Sequence, residues 1–94
     1  MALKQSNATV GITATKLFTL PAGLPYTAVQ ISNGHTSSIF LGASSSVTAA
    51  GANHGQTLGA NASLQFWLNS GDEVWGIASI ASGTGDITIL YSGR

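Results

Sequence analysis

Apolar residues in this chain recur at every second position, in short runs separated by turn residues. Leu64, Phe66 and Leu68 alternate with Gln65 and Trp67. Val74, Gly76 and Ala78 alternate with Trp75, Ile77 and Ser79, and Ile87, Ile89 and Tyr91 alternate with Thr88 and Leu90. Successive side chains of a strand point to opposite faces, so a period of two marks β-structure. Glu, Lys, Arg and Met are scarce, and no window longer than ten residues has a helical period with a cap to start it.

Strands are predicted over residues 9–13, 16–20, 26–32, 38–42, 62–68, 73–79 and 86–91, with a further short one around Val47. Pro21 and Pro25 lack the N–H that a ladder needs, so they break the chain after the second strand. Asn33-Gly34 is the strongest hairpin signal, because both residues tolerate positive φ. Residues 69–72 and 82–85 read as turns. Residues 43–56, with Ser44-Ser45-Ser46 and Asn53-His54-Gly55, form a loop that is long for so small a domain. Seven to eight short strands between polar turns imply an all-β fold, a small antiparallel β-sandwich or jelly-roll-like barrel. Residues 1–8 show no pattern and are expected to form an N-terminal arm, with residues 9–94 as one sandwich domain.

Charge narrows the function. Only six of the 94 residues are ionised at neutral pH: Lys4, Lys16, Asp72, Glu73, Asp86 and Arg94, with a formal net charge of zero. Ordinary domains carry charge at roughly a quarter of positions. This chain has little like-charge repulsion to keep its copies apart. Its polar surface must be mainly hydroxyl and amide, which is cheaper to desolvate than ions. Such a surface suits a chain packed against protein neighbours. A domain this short has a thin core margin. With no cysteine to supply a disulfide, oligomerisation is the expected reinforcement, as a homo-oligomer with a trimer favoured. Neutrality removes the long-range field that nucleic acid or anionic lipid would require, and no apolar run approaches a membrane span. Neither nucleic acid nor membrane is expected as a partner. Residues 1–9 have one lysine and no apolar stretch behind it, so no secretory leader is expected.

No catalytic, cofactor-binding or metal-binding residue is assigned, and no enzyme is expected. Serines are abundant, but no Gly-x-Ser-x-Gly elbow precedes a helix. Ser70-Gly71-Asp72-Glu73 reads as a turn whose aspartate bonds the local backbone. His35 and His54 lack metal-ligand spacing. His35 is expected to finish the Asn33-Gly34 turn and His54 to decorate the long loop. Trp67 and Trp75 have three readings: a second core face, a subunit interface, or a platform on which sugar rings stack. The candidate contact residues are Met1, Ala2, Leu3 and Lys4 of the arm, Val47 and His54 of the long loop, and the two tryptophans.

The run Val29-Gln-Ile-Ser-Asn-Gly34, then Ser38-Ile-Phe-Leu-Gly42, Val47-Thr48 and Gly55-Gln-Thr-Leu58, continues through Gly59-Ala-Asn-Ala-Ser-Leu64 and Asn69-Ser-Gly-Asp-Glu-Val-Trp75. This order resembles small proteins encoded among the structural genes of tailed bacteriophages. The resemblance covers roughly residues 26–91. It implies an all-β capsid decoration (cement) protein or minor virion protein on the outer surface of the phage head, with the major capsid protein as partner. A carbohydrate-binding or host-adhesion module of a fibre or tail is the alternative. No ligand-binding residue is carried over by the resemblance.

Overall fold

In the computed structural model, which describes residues 2–48, 55–78 and 86–93, eight strands pair into two antiparallel sheets. The strands are β1 (Ala2–Thr9), β2 (Thr15–Thr19), β3 (Thr27–Asn33), β4 (Ile39–Gly42), β5 (Gln56–Leu58), β6 (Ser63–Leu68), β7 (Glu73–Ala78) and β8 (Asp86–Gly93). One sheet has the order β1-β8-β3-β6 and the other β2-β7-β4-β5. The pairs β1–β8, β2–β7, β3–β6 and β4–β5 are the rungs of a single antiparallel ribbon. Two further pairings, β8 with β3 and β7 with β4, roll that ribbon into a sandwich. This connectivity is that of a jelly roll, one of the two architectures the sequence implied.

The alternating residues meet between the sheets. Val29 and Ile31 of β3, Ile39 of β4, Ile87 and Ile89 of β8, and Leu20 after β2 are fully buried. β-Branched residues dominate this centre, as suits a pleated, covered surface. Phe18 and Tyr91 extend the core across the sheets, with ring centroids 4.9 Å apart.

Several local expectations change. Residues 2–8, expected within an arm, and Thr9 form strand β1, in unbroken register with β8 from Ala2↔Gly93 to Thr9↔Asp86. Residues 10–13, expected within the first strand, lie outside any strand, although Val10 is buried. The physical reason is that β8 supplies most of the apolar side chains of the pair. β1 needs only small residues such as Ser6 and Ala8 toward the core, so its own sequence has no apolar alternation. Gln56–Leu58, which no expected strand covers, pairs with β4 as β5. Val47, expected at a contact surface, is buried, and its side chain fills the space beside Gly42 and Gly55.

Asn33-Gly34 does not make a hairpin, because β3 and β4 lie in opposite sheets. Asn33 instead uses its side chain to hold the crossing. Its Nδ2 donates toward the carbonyls of Ser37 (3.1 Å), Leu58 (3.0 Å) and Gly59 (3.1 Å), and its Oδ1 accepts from the His35 amide at 2.8 Å. His35 finishes this turn, as expected. Its buried ring accepts the Ser37 amide at Nδ1, 3.1 Å away. Positive φ appears next door, at Asn61 (63°). There the Asn61 amide donates to Asn33 O and the Asn33 amide donates to Ala62 O, each at 2.8 Å. Two residues of one strand thus face one of the other, a bulge of the kind that needs a left-handed first residue. The turn at 69–72 also arches between sheets. Its Asp72 Oδ2 accepts the Asn69 amide at 2.8 Å, the local role predicted for it.

Candidate functional site: an ion-free sheet face

The register of the β1-β8-β3-β6 sheet fixes what its outward face presents. One row across the four strands is Gln5, Leu90, Gln30 and Gln65. The row beside it is Asn7, Thr88, Ser32 and Ser63. On the other side lie the pairs Leu3↔Ser92 and Ala28↔Trp67. These rows contain no ionisable side chain. The next pair along, Thr9↔Asp86, ends the sheet. The face is thus a field of amides and hydroxyls around Leu90, with an apolar margin on one side.

That margin has a definite shape. Trp67 is 55% exposed and Tyr26 is 61% exposed, and their rings stack with centroids 5.2 Å apart and planes 24° from parallel. β6 positions Trp67, while Tyr26 comes from the segment between Pro25 and β3. Burying two such rings is usually favourable, so leaving both in water marks a surface with a use. Leu3, at the β1 end of the same face, is 75% exposed. Leu3 and Trp67 thus stand at the two ends of one row, along a single side of the polar rows.

The described charges lie elsewhere. Lys16 and Glu73 sit on the other sheet and approach to 3.8 Å, both substantially exposed. A pair this exposed contributes little stability. Trp75 also belongs to that sheet. It is half-buried, and its Nε1 donates to Glu73 Oε1 at 2.9 Å. Asp72 is used in its turn. Lys4 lies on β1 opposite Tyr91, out of step with the rows of the outward face.

The structure therefore separates the residues singled out from sequence. Leu3 and Trp67 share the outward face of one sheet, and Trp75 lies on the opposite side of the sandwich. Neither tryptophan belongs to the core, because both stand on strand positions that point away from the facing sheet. Met1 and His54 lie outside the described residues, and only the backbone of Ala2 is described. Among the described residues, no group of three or more His, Asp or Glu side chains gathers as a metal site would. Sequence reasoning missed Tyr26, Gln30, Gln65 and Leu90. The polar positions of the alternating runs carried the signal, but combining them into rows needs the cross-strand register.

No protein family, curated protein or solved structure matches the chain.

Proposed function

We propose that this chain is a non-enzymatic structural virion protein. In this reading it decorates the outer surface of a phage head and bridges adjacent major capsid subunits through the ion-free face of the β1-β8-β3-β6 sheet. The observation that carries the reading is the absence of any ionisable side chain in rows that span four strands, flanked on one side by exposed Trp67, Tyr26 and Leu3. Protein interfaces are depleted in charge at their centre and enriched in Trp and Tyr. Amides and hydroxyls can exchange water for partner groups at small desolvation cost. The sequence rhythm resembling phage structural proteins supports the same reading. Many copies, each adding a modest contact energy across a seam, stabilise a shell by mass action.

A second reading rests on the Tyr26–Trp67 stack. An exposed aromatic pair beside Gln30 and Gln65 also suits an adhesion module that binds a neutral glycan, with sugar faces on the rings and hydroxyls on the amides. Titration separates the two. Capsids stripped of the protein are mixed with wild type and with Gln30→Lys, and bound chain is measured by co-sedimentation. The capsid reading expects saturable binding that the lysine weakens. Failure of wild-type binding, together with glycan-induced quenching of Trp67 emission, would move the assignment to adhesion.

A further inference from the structure

We infer that strand β6 is a docking edge for a second copy of this chain, paired antiparallel about a two-fold axis through Gln65. The inference does not depend on what the ion-free face binds.

Among the described residues β6 pairs with β3 alone, which leaves one of its edges unpaired there. Natural sheets defend such edges with charge, proline, bulges or brevity. The other three outer strands have such defences. β5 has three residues, β2 carries Lys16 and a break in register between Lys16 and Phe18, and β1 carries Lys4. Within Ser63–Leu68 β6 has none of these, the bulge at Asn61 lying before its first residue. Its sequence Ser-Leu-Gln-Phe-Trp-Leu is free of charge and proline, and its register with β3 is unbroken from Thr27↔Leu68 to Ser32↔Ser63.

The direction of its edge groups follows from one hydrogen bond. The Asn33 amide donates to Ala62 O, so Asn33 and Ala62 point their backbone groups at each other. In an antiparallel ladder these positions alternate. Leu64, Phe66 and Leu68 therefore bond to β3, and Ser63, Gln65 and Trp67 aim N–H and C=O at the free edge. Placing Gln65 opposite itself in a second copy satisfies all of these groups, as Gln65 with Gln65 and Ser63 with Trp67 in both directions.

The same arrangement is complementary in side chains. On the inward face it sets Leu64 against Phe66 twice. Both are only half-buried in the single chain, and they line an apolar groove with Leu41, Ala43, Leu68 and Val74. Aromatic–aliphatic cross-strand pairs of this type stabilise sheets. No charge repulsion opposes the pairing, since neither β6 brings an ion to the seam. Glu73 at the groove is held by Trp75 and Lys16. A different protein would need its own neutral strand, whereas a second copy presents the required one. The pair also joins two ion-free faces into a single wider one.

The test is the mass of the full chain in solution, by analytical ultracentrifugation across concentration. A two-chain species is expected, where the sequence alone favoured a trimer. Gln65→Lys sets two like charges directly opposite, about 5.5 Å apart between Cα atoms. It should raise the dissociation constant at least about ten-fold, and Gln65→Glu should do the same. An equimolar mixture of the two variants should restore the two-chain species. Unchanged thermal unfolding of each variant confirms that its fold is intact. In wild type, the amides of Ser63, Gln65 and Trp67 should exchange more slowly as concentration rises. A one-chain or three-chain mass for wild type, or variants that pair as wild type does, would overturn the inference.

Discussion

Replacing Asn33 by aspartate tests whether one buried amide holds the crossing between the sheets. The change is nearly isosteric, so packing is preserved and only the hydrogen bonding alters. Asn33 has two N–H groups, shared among the carbonyls of Ser37, Leu58 and Gly59, and one acceptor, used by the His35 amide. Each lost bond costs about 0.5–1.5 kcal/mol, and leaving buried partners unsatisfied costs about 1–3 kcal/mol more. The acceptor bond survives in Asn33→Asp, while the donor side becomes a carboxylate facing carbonyl oxygens. A loss of about 3–5 kcal/mol at pH 7 follows, against a total stability of about 5–15 kcal/mol for a domain. The midpoint of thermal unfolding should fall by roughly 12–40 °C, given about 4–8 °C per kcal/mol in a domain of this size. pH adds a sign check. Facing carbonyls favour the protonated form of the introduced carboxyl, so its affinity for protons is higher folded than unfolded. The variant's deficit is therefore smallest below the ordinary aspartate range, near about pH 3.9, and grows as pH rises through the folded value. Urea unfolding followed by circular dichroism, at pH 3 and pH 7 for both proteins, measures this directly. A deficit under about 1 kcal/mol at pH 7, or one that does not change with pH, would refute the role given to Asn33.

Four further outcomes are expected. Gly55→Ala places a Cβ 2.6 Å from the Leu41 carbonyl oxygen and 2.7 Å from Val47 Cγ2. It should cost about 1–3 kcal/mol in chemical denaturation, whereas Gly59→Ala, with nothing within 4 Å, should stay within about 1 kcal/mol of wild type. Deleting residues 1–8 should lower the unfolding midpoint and speed amide exchange along β8, because β1 covers the β8 edge; an unchanged midpoint would restore the arm reading. Acrylamide should quench Trp67 more than Trp75, as read from Trp67→Phe and Trp75→Phe single-tryptophan proteins, and equal quenching would contradict the exposed Tyr26–Trp67 stack. Capsid binding should change little between low and high salt, since no ion pair is made across the ion-free face; a steep loss of affinity with salt would implicate charges outside it.

Most of the fold was legible where a strand carries its own alternation. Leu64, Phe66 and Leu68, and Ile87 and Ile89, placed β6 and β8 to within a residue or two at most boundaries. Legibility failed where the information belongs to a partner strand. β1 reads as patternless because β8 brings the isoleucines, and three-residue β5 is too short to show a period. Asn33-Gly34 has the sequence of a two-residue hairpin. The side-chain amide of Asn33 instead bonds to Leu58 of the other sheet and to loop carbonyls at Ser37 and Gly59, and a local turn rule does not see that long-range use. The candidate face was only half legible. Scarcity of charge is plain in the composition, and Trp67 stood out as an aromatic at a polar position. That Gln5, Gln30 and Gln65 fall in one row, with Tyr26 stacked at the margin, depends on the register of three strand pairs. Val47 misled because it lies in a segment that resembles an exposed loop, while Gly42 and Gly55 leave room for its side chain beneath.

Gln30 lies in the middle of the ion-free rows, between Leu90 and Gln65. Binding of wild type and Gln30→Lys to capsids stripped of the protein therefore bears most directly on whether that face is the one other protein covers. Saturable wild-type binding, a dissociation constant raised at least about ten-fold by the lysine, and an unfolding midpoint that does not move are the predicted results. Equal binding by the two proteins would place the contact elsewhere on the sandwich.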